Sequence, residues 1–274
     1  MKKNGVFLVP ILVIGVFMLI SNRLMSSGAM SPSTMVIIGA VAFVLMLLIR
    51  PQKPTSQTSP DTALSLLGDY SKDAFSYDES LSSQFQSAVS DFLNSMPKSA
   101  VKKLEKLQAL CKTDADTYAV SVAMGMIKCQ NDDYAEAIKL FNKAVVLHPT
   151  AQLAESIASA QQRIGELDEA IDSYEFALDL DPEAIDIRAK LATACVGNGD
   201  FESAIDHAQL VLDKQEDHAS ALATIAICHG VLDHTDLYNG YTAKASEAGY
   251  SEQKITTTVT ALKKKYKKTL ESMN

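Results

Sequence analysis

Three stretches, YAEAIKLFNKAVVLHPT (134–150), LDEAIDSYEFALDLDPE (167–183) and FESAIDHAQLVLDKQED (201–217), are copies of one pattern. Ala137, Ala170 and Ala204 stand 33 and 34 residues apart, and each is followed by an isoleucine, Ile138, Ile171 or Ile205. Tyr134, Leu167 and Phe201 precede these alanines by three positions, and Phe141, Tyr174 and Ala208 follow by four. Apolar residues at such offsets lie on one stripe of an α-helix. Pro149 and Pro182 close the first two copies, and a proline cannot continue a helix.

Working outward, a second helix recurs ahead of each copy. Gly125, Ala158, Ala192 and Ala226 stand twelve residues before Ala137, Ala170, Ala204 and Tyr238, and Met124, Ile157, Leu191 and Ile225 immediately precede them. A small residue on the first helix facing a small one on the second lets two backbones approach closely, with aromatics filling the space beside the crossing. Gly165 and Gly199 sit in the turn between the two helices, where the first unit has Asp132.

This helix–turn–helix unit of about 34 residues resembles the tetratricopeptide repeat (TPR) family. The resemblance covers 118–217 well and takes in 219–250 as a degenerate fourth unit. It implies an all-α fold, a TPR-type α-solenoid. Glu79 to Leu93 carries an apolar stripe through Leu81, Phe85, Ala88 and Phe92, and the stretch 94–97 breaks it. A second stripe follows with Val101, Leu104, Leu107 and Cys111. Residues 79–115 therefore read as an amphipathic helix pair, a possible divergent repeat. Residues 116–250 form the array.

A repeat array needs polar caps. At 251–274, Ile255, Val259, Leu262, Tyr266 and Leu270 oppose a face bearing Lys263, Lys264, Lys265, Lys267 and Lys268. The segment reads as a basic capping helix whose lysines face solvent, touch anionic lipid headgroups, or dock onto the protein's own acidic repeats.

The N-terminal part differs in composition. Residues 1–53 hold five basic groups and no acid. The 19 uncharged residues between Lys3 and Arg23, which include VFLVPILVIGVFMLI (6–20), and the 26 between Arg23 and Arg50, which end in MVIIGAVAFVLMLLI (35–49), are each long enough for a membrane span, so 1–50 is expected to be a two-helix transmembrane hairpin contacting lipid through residues 5–49. A cleaved signal peptide is the rival, but no small-x-small site follows the first run. Lys2, Lys3, Arg50 and Lys53 on one side against Arg23 on the other place both termini in the cytoplasm, and a bacterial inner membrane is the expected location. Residues 51–78, Pro/Ser/Thr-rich at their start, are expected to be a linker that includes a short helix around Ala63–Leu67.

Composition and motifs also exclude. The net charge is −8, and residues 117–250 alone sum to −14, which disfavours nucleic acid as a partner. There is no P-loop, G-x-S-x-G or kinase set. Cys111, Cys129, Cys195 and Cys228 are widely spaced inside helices, and the five histidines lack metal-ligand spacing. No enzyme activity, cofactor, metal or small-molecule substrate is expected.

In the TPR family the first helix of each unit typically lines a groove for a peptide or partner helix. The resemblance assigns that groove to Val122 and Met126 in the first unit, and to Gln152, Glu155, Ser159, Gln162 and Arg163 in the second. Asp186, Ala189, Lys190 and Thr193 belong to it in the third. Only Lys190 fits the basic pattern of domains that clamp chaperone C-terminal carboxylates, so a neutral or basic protein segment is the expected ligand. The expected function is a membrane-anchored interaction adaptor or scaffold. The alternatives are a membrane-complex subunit whose hairpin is the active element, or an extracytoplasmic envelope-assembly factor.

Overall fold

The computed structural model describes the backbone of residues 67–273 and the side chains of residues 67–267. These form a short 3-10 turn, Asp69–Asp73, and eleven α-helices, with no strand among the described residues. In chain order the helices are α1 (Glu79–Leu93), α2 (Pro97–Gln108), α3 (Asp114–Gln130), α4 (Tyr134–Leu147), α5 (Ala151–Ile164) and α6 (Leu167–Leu180). They continue with α7 (Ile185–Asn198), α8 (Phe201–Lys214), α9 (Ala219–Val231), α10 (Thr235–Glu247) and α11 (Glu252–Met273). Each helix packs on its neighbours in sequence, as in an all-α TPR-like solenoid.

The sequence specifies the starts and stops. Asp78 accepts from the amides of Ser80 and Leu81, Thr150 from Leu153, and Asp200 from Ser203, which satisfies first-turn N–H groups that have no partner within the helix. Thr113 and Asp116 form a capping box on α3. Gly165 and Gly199 end α5 and α7 in the left-handed region, at φ 89° and 91°. At the matching turns of the first and fourth units Asp132 and Asp233 take the same conformation, both at φ 61°.

The repeated small residues form the crossings. Ala137, Ala158, Ala170, Ala192, Ala204 and Ala226 are wholly buried. In the first unit Gly125 faces Phe141, and an added Cβ would lie 2.5 Å from Phe141 Cε1. Burying a ring such as Phe141 contributes about 1.5–3 kcal/mol, and the close backbone approach makes room for it.

Three expectations are corrected. First, residues 67–78 are not all linker. Phe75 is wholly buried and its amide donates to Asp116 Oδ1 at 2.6 Å, while the Tyr70 ring stacks on His148 at 4.5 Å. Lone aromatic residues without a period leave no helical signal, and their partners lie far along the chain. The short helix expected around Ala63–Leu67 falls outside the described residues except at Leu67.

Second, the integral-membrane placement is overturned. Among the described residues no helix is long and apolar enough to cross a membrane. The longest, α11, has 22 residues but carries six lysines, each costly in hydrocarbon. The hairpin expected at 1–50, its lipid contact through 5–49 and the first part of the linker lie outside the described residues.

Third, Val122 and Met126 do not line an open groove. They are 0% and 1% exposed, because the turn at 69–73, α1 and α2 pack over α3 and bury it through most of its circumference.

The basic face of α11 is turned in part onto the protein itself. The Tyr266 hydroxyl and Lys265 Nζ both donate to the Gly197 carbonyl, at 2.5 and 2.8 Å, and Lys263 pairs with Asp233. Tyr266 also meets Phe201 edge-on at 5.8 Å. The C-terminal helix thus ties down two inter-helix turns.

Candidate functional site

Helices α5 and α7 carry the remaining positions that the resemblance assigned to a groove. Residues 152, 155, 159 and 162–163 recur at helical spacing on one face of α5, and 186, 190 and 193 do so on α7. Gln152, Asp186, Lys190 and Thr193 are exposed, and Glu155 is half-buried. Ala189 is buried at 5% and belongs to the core, because the alanine turns toward the neighbouring helix.

Glu155 and Lys190 join α5 to α7 in an ion pair across this face. The pair neutralises the centre of the surface, and its two halves hold each other's side chains in place. Asp186 lies 3.8 Å from His218 Nε2. His218 Nδ1 accepts from the Ala221 amide at 3.2 Å, capping α9, so the ring's proton sits on Nε2, facing Asp186. Thr193 Oγ1 donates to the Ala189 carbonyl at 3.1 Å, so the face combines one neutralised pair, the exposed Asp186 carboxylate and the Gln152 amide.

The upper end of α5 is committed elsewhere. The Tyr174 hydroxyl lies 3.1 Å from Ser159 Oγ and donates to Gln162 Oε1 at 3.3 Å. Burial pushes this tyrosine's pKa upward, so it stays a neutral donor. Arg163 Nε donates to the Tyr134 hydroxyl at 3.1 Å, with the guanidinium over that ring. Ser159, Gln162 and Arg163 thus brace adjoining helices, while Gln152, Glu155, Asp186, Lys190 and Thr193 form the accessible set.

Of the basic tail, Lys263 and Lys265 have partners within the chain and Lys264 is exposed. The Lys267 side chain is exposed, and that of Lys268 lies outside the described residues. Docking onto the protein's own turns is what Lys263 and Lys265 do.

No group of three or more His, Cys, Asp or Glu among the described residues is placed to hold a metal ion. His229 and His234 face one another with Nδ1 atoms 3.2 Å apart, and burial together with the neighbouring ring lowers the His229 pKa. Burial pushes the thiols of Cys129 and Cys195 up to about 11 and that of Cys228 up to about 12, far from a reactive thiolate.

Sequence reasoning missed a cleft lined by Asp213, Glu216, Asp217 and Glu247 between α8 and α10. These acids belong to no motif, and the signal lies in what differs at their neighbours relative to the preceding unit.

Comparison with known proteins agrees with this architecture. Residues 165–228 match the family model described as tetratricopeptide repeat. The chain is similar to the crystal structure of MamA (20% identity, TM-score 0.54), covering 59% of this chain and 93% of that one. It is also similar to YrrB, described as a TPR protein with an unusual peptide-binding site (14% identity, TM-score 0.56), covering 67% of this chain and 93% of YrrB. At these identities the likeness is one of fold. No curated protein matches the chain.

Proposed function

We propose that this protein is a non-catalytic interaction scaffold whose α5–α7 face receives a neutral or basic segment of a partner protein. The observation that carries the reading is the Glu155–Lys190 pair on that face. Beside it stand the exposed Asp186 carboxylate and the exposed amide of Gln152. A rigid helical array that presents polar side chains on its first helices suits the recognition of a polypeptide, which offers backbone donors and acceptors along its length. The mechanism is complementarity on a pre-formed surface, which avoids the ordering cost a flexible binder incurs. YrrB, of similar fold, is described as binding peptide, and that description supports a peptide ligand here.

The test is partner capture with the full chain and with the double variant Glu155→Lys, Asp186→Lys, after circular dichroism has shown that the variant keeps its helix content. The expected result is a specific partner retained by the wild type and lost by the variant. An identical set of partners on both would refute the assignment of this face.

A further inference from the structure

The third and fourth units offer a comparison within one molecule. At the junction of α6 with α8 the chain supplies its own cations. Lys214 Nζ pairs with Glu183 Oε2 at 3.0 Å, and Arg188 Nη2 donates to the Pro182 carbonyl at 3.0 Å. What remains open there is a pocket of about 150 Å³. Thirty-four residues later the acid persists, as Asp217 in place of Glu183, and Pro182 has become Glu216. Both cations are gone: Ala248 stands where Lys214 would be, and Leu222 where Arg188 would be.

The consequence at the α8–α10 junction is a cleft of about 760 Å³ lined by Asp213, Glu216, Asp217 and Glu247 over an apolar floor of Leu212 and Leu222. That volume falls within the roughly 300–1,000 Å³ typical of ligand sites. Lys244, the one cation in the lining, is turned over the Tyr241 ring at 5.5 Å. Asp213 accepts from Gln209 at 3.0 Å, a neutral donor that leaves its charge uncompensated.

We propose that the α8–α10 cleft binds a partner polypeptide through a lysine or arginine side chain, which takes the place that Lys214 and Arg188 fill one unit earlier. The aliphatic stem lies along Leu212 and Leu222, as long cationic side chains do on apolar surface, and the charged head meets Asp217 and Glu216. Arginine or lysine paired with carboxylates beside an apolar floor gains both Coulomb attraction and area. This site is separate from the α5–α7 face and stands whether or not that face binds a partner.

The test is calorimetric titration of the full chain with the probe peptide acetyl-AKLKA-amide and its acidic counterpart acetyl-AELEA-amide. The wild type is expected to bind the lysine peptide only, and less tightly as salt is raised. Leu222→Arg with Ala248→Lys rebuilds the preceding junction and is expected to weaken binding by about ten-fold or more, the worth of one charge-assisted contact. Asp217→Asn with Glu247→Gln alters only exposed carboxylates and is expected to weaken it similarly, so the result does not depend on the first variant folding. Glu155→Lys with Asp186→Lys is expected to leave binding unchanged, which separates the two sites. Absence of binding to the wild type, equal binding of both peptides, or unchanged binding in the Asp217 and Glu247 variant overturns the proposal. So does sedimentation showing that the cleft is occupied by a second copy of the chain, with the rebuilt junction monomeric.

Discussion

The Phe141 ring lies against Gly125 so closely that a methyl group on the glycine would sit 2.5 Å from Cε1. Glycine inside a helix ordinarily costs about 1 kcal/mol relative to alanine, so Gly125→Ala on an exposed helix would stabilise. Here overpacking of a buried ring wins. The substitution is expected to destabilise by about 1–3 kcal/mol in urea unfolding, and pairing it with Phe141→Leu should recover part of the loss. A stabilised single variant would show that α3 and α4 do not cross at this point.

Asp116 is wholly buried and accepts from the Phe75, Lys112 and Thr113 amides and the Tyr77 hydroxyl. Burial raises its pKa, but the three amides and the tyrosine outweigh that and hold it below the usual carboxylate range. A depressed folded-state pKa contributes stability that is present above the unfolded value and lost as pH falls through the folded one. Asp116→Asn should therefore lower stability at neutral pH by about 1–3 kcal/mol, as expected for orphaned buried donors, and flatten the acid limb of the stability–pH profile. An unchanged acid limb would mean that other carboxylates set it.

Much of the architecture was legible because period and phase are local properties. Ala137, Ala170 and Ala204 fixed the repeat, Gly165 and Gly199 its turns, and the break at 94–97 separated α1 from α2. The covering of α3 was not legible. Phe75 and Tyr70 reach it by contacts 41 residues and more along the chain, and nothing in a 34-residue period announces them. Val122 and Met126 were therefore assigned to a groove that another part of the fold fills. The α8–α10 cleft hid for a different reason, since its evidence is two cations replaced by Leu222 and Ala248 rather than a motif present.

Tyr266 anchors α11 through its hydroxyl on Gly197 and its ring on Phe201 and Gly199. Tyr266→Phe should cost about 1 kcal/mol, the net worth of one hydrogen bond, and Tyr266→Ala several-fold more through lost packing. Hydrogen exchange in α11 should quicken in the same order. Equal exchange in all three proteins would mean that Tyr266 does not hold the helix in place.

The buried thiols of Cys195 and Cys228 should resist labelling by a thiolate-selective reagent at pH 8 until the chain unfolds, because burial keeps both protonated. Labelling in step with unfolding is the expected record. Modification of either residue in the folded protein, ahead of half-buried Cys111, would contradict the packing of α7 against α9.

The central claim is that the α5–α7 face is where a partner sits, and site-directed photocrosslinking tests it most directly. A photoreactive side chain is placed at Thr193, exposed on that face, and separately at Val146, which is 82% exposed on α4. The account predicts an adduct with the captured partner from position 193 and none from 146. Adducts from 146 alone, or from neither position while capture persists, would contradict it and move the binding surface elsewhere on the array.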